Sequence, residues 1–110
     1  MPAASVELVK ARSGGRCERC GTRDSPYWSL HHRKPRGMGG SKDPAINSPA
    51  NLLYLCGSGT TGCHGWVESN RTLAREAGLL LYRNDEPVQI PVQLFAGTHR
   101  LLDDGGRQPC

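Results

Sequence analysis

The stretch Leu30-His31-His32-Arg33 decides the fold, because two adjacent histidines end a short apolar run that starts at Tyr27. Aromatic and apolar residues between Pro26 and Pro35 predict a β-strand over 27–32. Imidazole can bind a metal ion and can take up a proton near neutral pH, so the pair indicates a metal or proton-transfer site. On an alternating strand the two rings point in opposite directions. We therefore expect a bend or a bulge to bring both to one site, unless one histidine belongs to the core.

Two further elements follow the histidine pair. A second apolar run, 51–56, starts with Asn51 and predicts another strand. Cys63-His64 opens a predicted helix over 63–76, which Gly78 ends. This order places the third histidine in the first turn of a helix, where it is expected to face the two strands.

Glu68 lies one helical turn after His64 and shares a face with it. This spacing favours an exposed salt bridge from Glu68 to Arg71 or Arg75.

The cysteines predict a structural metal. Fourteen glycines, eight prolines and six aromatic residues leave a thin hydrophobic core, and such chains usually need disulfides or a metal to fold. Cys17 with Cys20, and Cys56 with Cys63, form two pairs, while Cys110 is the odd thiol. A single CxxC could be a redox motif, but the second pair favours a tetrahedral zinc site in a reduced compartment.

The first residues hold no apolar stretch long enough for a signal peptide, and no run of about 18 apolar residues predicts a membrane span. We therefore expect a cytoplasmic protein.

The positive charge predicts a nucleic-acid partner. The net charge is +4, and nine Lys/Arg stand between residues 10 and 42 against only Glu18 and Asp24. The glycine- and proline-rich loop 33–50 is too broken for regular structure and is a natural contact for phosphates. A solvated basic face and a flexible connector are the alternatives. The predicted DNA contacts are Arg33, Lys34, Arg36 and Lys42.

The order His-His, Asn, His, with its two flanking cysteine pairs, resembles the HNH endonucleases, a branch of the His-Me finger (ββα-metal) nucleases. The resemblance covers roughly 16–78 and is nearest to small phage and bacterial HNH proteins with a four-cysteine zinc knuckle. It implies that His32 is the general base. It also implies that Asn51 fixes the loop and helps to orient the ring of His32. It also implies that His31 and His64 hold the catalytic ion, with Glu68 as a candidate third ligand.

The resemblance implies a metal-dependent DNA endonuclease that hydrolyses phosphodiester bonds to 5′-phosphate and 3′-hydroxyl ends, by nicking or by double-strand cleavage. Nitrogen ligands accept softer ions, so Mg²⁺, Mn²⁺, Ni²⁺, Co²⁺ and Zn²⁺ are all candidates for the catalytic site. A phage protein that assists the terminase large subunit in DNA packaging is a sub-case. The competing prediction is a non-catalytic, zinc-stabilised module that binds nucleic acid. The oligomeric state stays open.

The predicted fold class is α+β. An N-terminal helix and lead-in occupy 1–15, and the ββα-metal core with its zinc knuckle occupies 16–78. Short covering strands follow over 79–102, within which 79–82 and 88–94 carry the apolar runs. The last segment, 103–110, is predicted to be a disordered tail.

Overall fold

The computed structural model describes residues 2–35 and 44–110, and it shows a small α+β protein with two antiparallel sheets. No helix among these residues is long and apolar enough to cross a bilayer. The helices are α1 (Ala3–Ser13), α2 (Gly62–Ser69) and α3 (Arg71–Glu76), with short 3₁₀ helices at Pro44–Asn47 and Pro49–Asn51. The strands are β1 (Trp28–His32), β2 (Leu52–Cys56), β3 (Val92–Leu94), β4 (Gly97–Leu101) and β5 (Arg107–Pro109).

The histidine pair lies on the first sheet, in which β1 and β2 pair antiparallel. The register runs without interruption from Trp28 opposite Cys56 to His32 opposite Leu52. The two strands predicted from the apolar runs are therefore confirmed, each one residue shorter at its start. The expected bulge is absent, because every residue of β1 has a partner in β2.

Helix α1 fastens the N-terminus to the second strand. The helix starts at Ala3, and Gly14 ends it in a left-handed conformation with φ 64°. Arg12 on its last turn donates to the carbonyl oxygens of Pro49 and Leu52 and forms a buried ion pair with Glu18 at 2.9 Å. One side chain thus connects α1, the residues around Asn51 and the CxxC segment.

The predicted helix over 63–76 is two helices. Asn70 separates α2 from α3 with φ −129° and ψ 55°, and its side-chain amide donates to the Trp66 carbonyl oxygen. Val67 and Ala74 are buried, whereas Leu73 is 52% exposed. The break turns α3 relative to α2, so residues that share a face in one continuous helix no longer do.

The C-terminal part differs most from its prediction. Residues 79–81 are buried but form no strand; the Leu81 amide donates to the Arg33 carbonyl oxygen instead. Only Val92–Leu94 of the predicted strand over 88–94 is extended. The prediction of a disordered tail over 103–110 is wrong, because β5 pairs with β4, with Arg107 opposite Leu101. This second sheet completes the core, which also takes side chains from β2, α2 and α3.

Candidate functional site

The four cysteines predicted to bind zinc come together in one cluster. The sulfurs of Cys17, Cys20, Cys56 and Cys63 all lie within 4.8 Å of one another. The Sγ atoms of Cys20 and Cys56 are 3.8 Å apart. Zinc with four thiolates at about 2.3 Å in a tetrahedron spaces its sulfurs by about 3.8 Å. The cluster can therefore hold a structural metal such as zinc.

Polar groups around the sulfurs suit a set of thiolates. Arg19 donates to Cys63 Sγ at 3.3 Å while its guanidinium lies 3.9 Å from the centre of the Trp66 ring. The Cys63 amide donates to Cys56 Sγ at 3.4 Å. Burial raises the pKa of the Cys56 and Cys63 thiols. For Cys17, burial opposes ionisation, but hydrogen bonds from backbone groups outweigh it and lower the pKa of that thiol. A cation is needed to gather the four as thiolates.

A second group of ligands lies where β1 approaches α2. One donor atom each from His31, His64 and Glu68 fall within 4.8 Å of one another. The rings of His31 and His64 are 5.4 Å apart between centroids. Two imidazole nitrogens with one carboxylate oxygen form a donor set that suits Mn²⁺, Co²⁺, Ni²⁺ and Zn²⁺.

His31 is held in the form that a metal ligand needs. Its Nε2 lies 2.7 Å from the carbonyl oxygen of Leu79, so Nε2 carries the proton and donates, and Nδ1 keeps its lone pair. Burial lowers the pKa of His31 to about 4, with the Leu79 hydrogen bond opposing and His64 reinforcing the shift. The ring is therefore neutral at neutral pH.

His64 and Glu68 complete this group on one face of α2. The Nε2 atom of His64 lies 3.8 Å from Glu68 Oε1. The Nδ1 atom of His64 is buried and has no hydrogen-bond partner among the described residues, which is a costly state for a polar atom. The other Glu68 oxygen accepts from Arg71 at 3.1 Å. The two predicted roles of Glu68 are thus compatible, since one oxygen faces His64 and the other Arg71.

His32 lines the same cleft as the ligand group although it lies on the other side of β1. The cleft has a volume of about 330 Å³, and its walls include Leu30, His31, His32, Pro35, His64, Glu68, Arg71 and Leu80. Both neighbouring rings thus line one cleft, although the register of β1 with β2 has no bulge. The His32 Nε2 atom lies 2.8 Å from the side-chain oxygen of Asn47.

Asn51 holds backbone rather than the histidines. It is fully buried, and its side-chain oxygen accepts from the Lys34 amide at 2.7 Å. Its amide nitrogen donates to the carbonyl oxygens of Ile46, at 2.8 Å, and Lys34, at 3.3 Å. Asn51 therefore joins the two ends of the loop that follows β1, and it is too buried to touch a substrate.

Arg33 must be removed from the predicted DNA contacts. Its side chain is 0% exposed, and its guanidinium donates to the carbonyl oxygens of Gly78, Ala50, Pro87 and Ile90. Burial lowers its pKa to about 10, so the group remains a cation at neutral pH. Lys34 is half-buried beside Asn51. The other two predicted contacts, Arg36 and Lys42, lie outside the described residues.

Three contributors to these sites were missed by sequence reasoning. Asn47 meets His32, the Leu79 carbonyl oxygen orients His31, and Arg19 faces the cysteine sulfurs. Only Arg19 had a signal in the sequence, as a basic residue between the two cysteines of the CxxC pair. Every residue has a backbone carbonyl group, so the sequence does not reveal that the one at Leu79 accepts from His31.

No family model, no curated protein and no solved structure matches the chain.

Proposed function

We propose that this protein is a metal-dependent DNA endonuclease of the HNH, His-Me finger (ββα-metal) type. The observation that carries the proposal is the meeting of His31, His64 and Glu68 within 4.8 Å, in a cleft that His32 also lines. Two antiparallel strands followed by a helix supply these residues, in the order that the resemblance implies. Structural zinc alone would require none of the three histidines.

His32 is the general base of this reaction. It takes a proton from a water molecule, and the oxygen of that water attacks phosphorus opposite the 3′-oxygen. The bond from phosphorus to the 3′-oxygen breaks, and the 3′-oxygen leaves with the electron pair and takes a proton from solvent. The products carry a 5′-phosphate and a 3′-hydroxyl. A positioned base contributes about 10²- to 10⁴-fold in rate.

The remaining residues of the cleft place charge around the phosphate. When a divalent cation is bound by His31, His64 and Glu68, it supplies the Lewis acid that such a reaction needs. Arg71, 43% exposed and 3.1 Å from Glu68, brings a guanidinium to the same wall. Guanidinium matches phosphate oxygens in geometry and charge, so Arg71 is placed to bind the DNA backbone.

DNA is the proposed polyanionic partner because the chain carries a net charge of +4 and the guanidinium of Arg71 lines the candidate active cleft. Lys34, together with Arg36 and Lys42, remains a proposed phosphate contact. Assistance to a phage terminase large subunit remains the sub-case that rests on the resemblance alone.

The test is cleavage of supercoiled plasmid with Mg²⁺, Mn²⁺, Ni²⁺, Co²⁺ or Zn²⁺, run beside zinc analysis of the purified protein. We expect nicking with at least one ion, and His32→Ala should lower the rate at least about 100-fold with the zinc retained. His99→Gln is the matched control, since it changes the histidine of β4, which does not line the cleft. It should cleave like the unmodified protein.

The competing function is a non-catalytic, zinc-stabilised module that binds nucleic acid, and the same assay separates the two. Plasmid that is shifted on a gel but never cut with any of the five ions would assign the protein to that module. Cleavage that persists in His32→Ala would remove His32 from its role.

A further inference from the structure

The side-chain oxygen of Asn47 lies within hydrogen-bond distance of the His32 ring. The Asn47 oxygen and His32 Nε2 are 2.8 Å apart, which is the distance of a good hydrogen bond. The amide oxygen can only accept, so the ring nitrogen facing it carries the proton. Nδ1 of His32 then keeps the lone pair, and a general base must have a lone pair to take a proton from water.

Asn47 is itself fixed by the buried asparagine. It ends the first 3₁₀ helix, and the carbonyl oxygen of the preceding residue, Ile46, accepts from the Asn51 side chain at 2.8 Å. The Asn51 side chain also accepts from the Lys34 amide, two residues after His32. Both partners of the Asn47–His32 hydrogen bond are therefore tied to one buried side chain.

We propose that Asn47 is the positioning residue that holds His32 in the orientation and tautomer of a general base, an inference that rests on the function proposed above. Asn51 pins the loop, as the resemblance implies, and Asn47 transmits that fixed geometry to the ring. The role assigned to one asparagine is thus divided between two. A group that hydrogen-bonds the second ring nitrogen of a functional histidine typically contributes about 10- to 100-fold to activity. We expect a contribution of that size from Asn47.

The first test is a nuclear magnetic resonance measurement on the unmodified, zinc-loaded protein at pH 8. Two-bond ¹H–¹⁵N correlations should show His32 protonated on Nε2, with an Nε2 proton that exchanges slowly because Asn47 accepts it. Asn47→Ala should lose the slow exchange. A His32 ring protonated on Nδ1, or an Nε2 proton that exchanges equally fast with and without the Asn47 side chain, would overturn the inference.

The second test is kinetic. Asn47→Ala should lower kcat for plasmid nicking about 10- to 100-fold and leave KM unchanged, since Asn47 acts through His32 and not on DNA. Asn47→Asp keeps an acceptor oxygen and should restore most of kcat. Asn84→Ala, in an exposed turn, is the control and should match the unmodified protein.

The two proposals fail differently. If the unmodified protein cuts no plasmid, the nuclease function is lost, and with it the catalytic meaning of Asn47. If the unmodified protein cuts plasmid and Asn47→Ala cuts it equally fast, only the role of Asn47 is lost. Thermal melts of each variant separate these outcomes from misfolding, and Asn47→Asp tests the acceptor even if Asn47→Ala does not fold.

Discussion

Arg33 directly follows His31 and His32, the two histidines of the proposed active site, yet its own side chain is buried among backbone groups. Its guanidinium donates to four carbonyl oxygens at 2.8 to 3.0 Å, and no carboxylate of residues 2–35 or 44–110 accepts from it. Backbone carbonyls carry only partial charge, so this buried cation depends on all of them together. At the scale of single residues, two histidines proposed to act at the site are thus followed directly by an arginine with a structural role.

Replacing Arg33 should therefore lower the stability of the fold, with no direct effect on DNA binding. Arg33→Met removes the donor from three buried carbonyl oxygens and one half-buried one, and we expect a loss of at least about 3 kcal/mol in the free energy of unfolding. Urea titration followed by circular dichroism measures it.

Arg83→Met, at an exposed position, is the control for the Arg33 variant and should change the unfolding midpoint little. An Arg33→Met protein that melts normally but binds DNA with a weaker salt dependence would instead return Arg33 to the phosphate contacts.

At the scale of elements, the turn between β2 and α2 sets the distance between Cys56 and Cys63, the second cysteine pair of the cluster. Gly57 has φ 93°, a conformation that residues with a side chain rarely adopt. A Cβ on Gly57 would lie 2.0 Å from the Thr61 carbonyl oxygen, a backbone atom that cannot move aside alone. The turn brings Cys63 back to Cys56 only because residue 57 is glycine.

Gly57→Ala should weaken zinc binding, because relief of the clash moves Cys63 relative to Cys56. We expect at least about a tenfold loss of zinc affinity, since a structural site depends on all four ligands keeping their distances. Competition with a chromophoric chelator measures the affinity. Gly59→Ala in the same turn meets no atom within 4 Å and should bind zinc normally. Equal affinity in the two variants would contradict this account of the turn.

The elements also show why the sequence predicted some features and not others. The strands β1 and β2 and the two cysteine pairs were predictable, because each is a local pattern with its own signal. Arg33 has the same charge in a core as on a surface, and the carbonyl oxygens that hold it come from residues up to 57 positions away. Asn70 was missed because its helix-breaking hydrogen bond to Trp66 competes with a continuous helical pattern.

At the scale of the molecule, two small sheets share one core that cannot be large. The radius of gyration is 12.5 Å, close to the value of about 13 Å expected for a folded chain of this length. This agrees with a last segment that pairs as β5 instead of trailing into solvent. Structural zinc supplies about 10 to 16 kcal/mol in small domains, which is comparable with the whole stability of a typical domain.

Loss of one zinc ligand should therefore unfold the whole molecule. Cys20→Ser removes one of the four sulfurs, and we expect it to lose bound zinc and most of its far-ultraviolet circular dichroism signal. Cys110→Ser changes an exposed cysteine outside the cluster and should keep both. Removal of zinc by a strong chelator should reproduce the Cys20→Ser spectrum. A Cys20→Ser protein with an unchanged spectrum and melting temperature would show that the fold does not depend on the metal.

The carbonyl oxygens around Arg33 also determine the shortest fragment of this chain that can fold by itself. Two of them belong to Pro87 and Ile90, well past the segment 16–78 that holds every predicted ligand. A fragment trimmed to those ligands would keep the charge of the guanidinium and discard half of the oxygens that shelter it. Shortened versions of this protein must therefore extend beyond residue 90, even though every predicted ligand lies before residue 79.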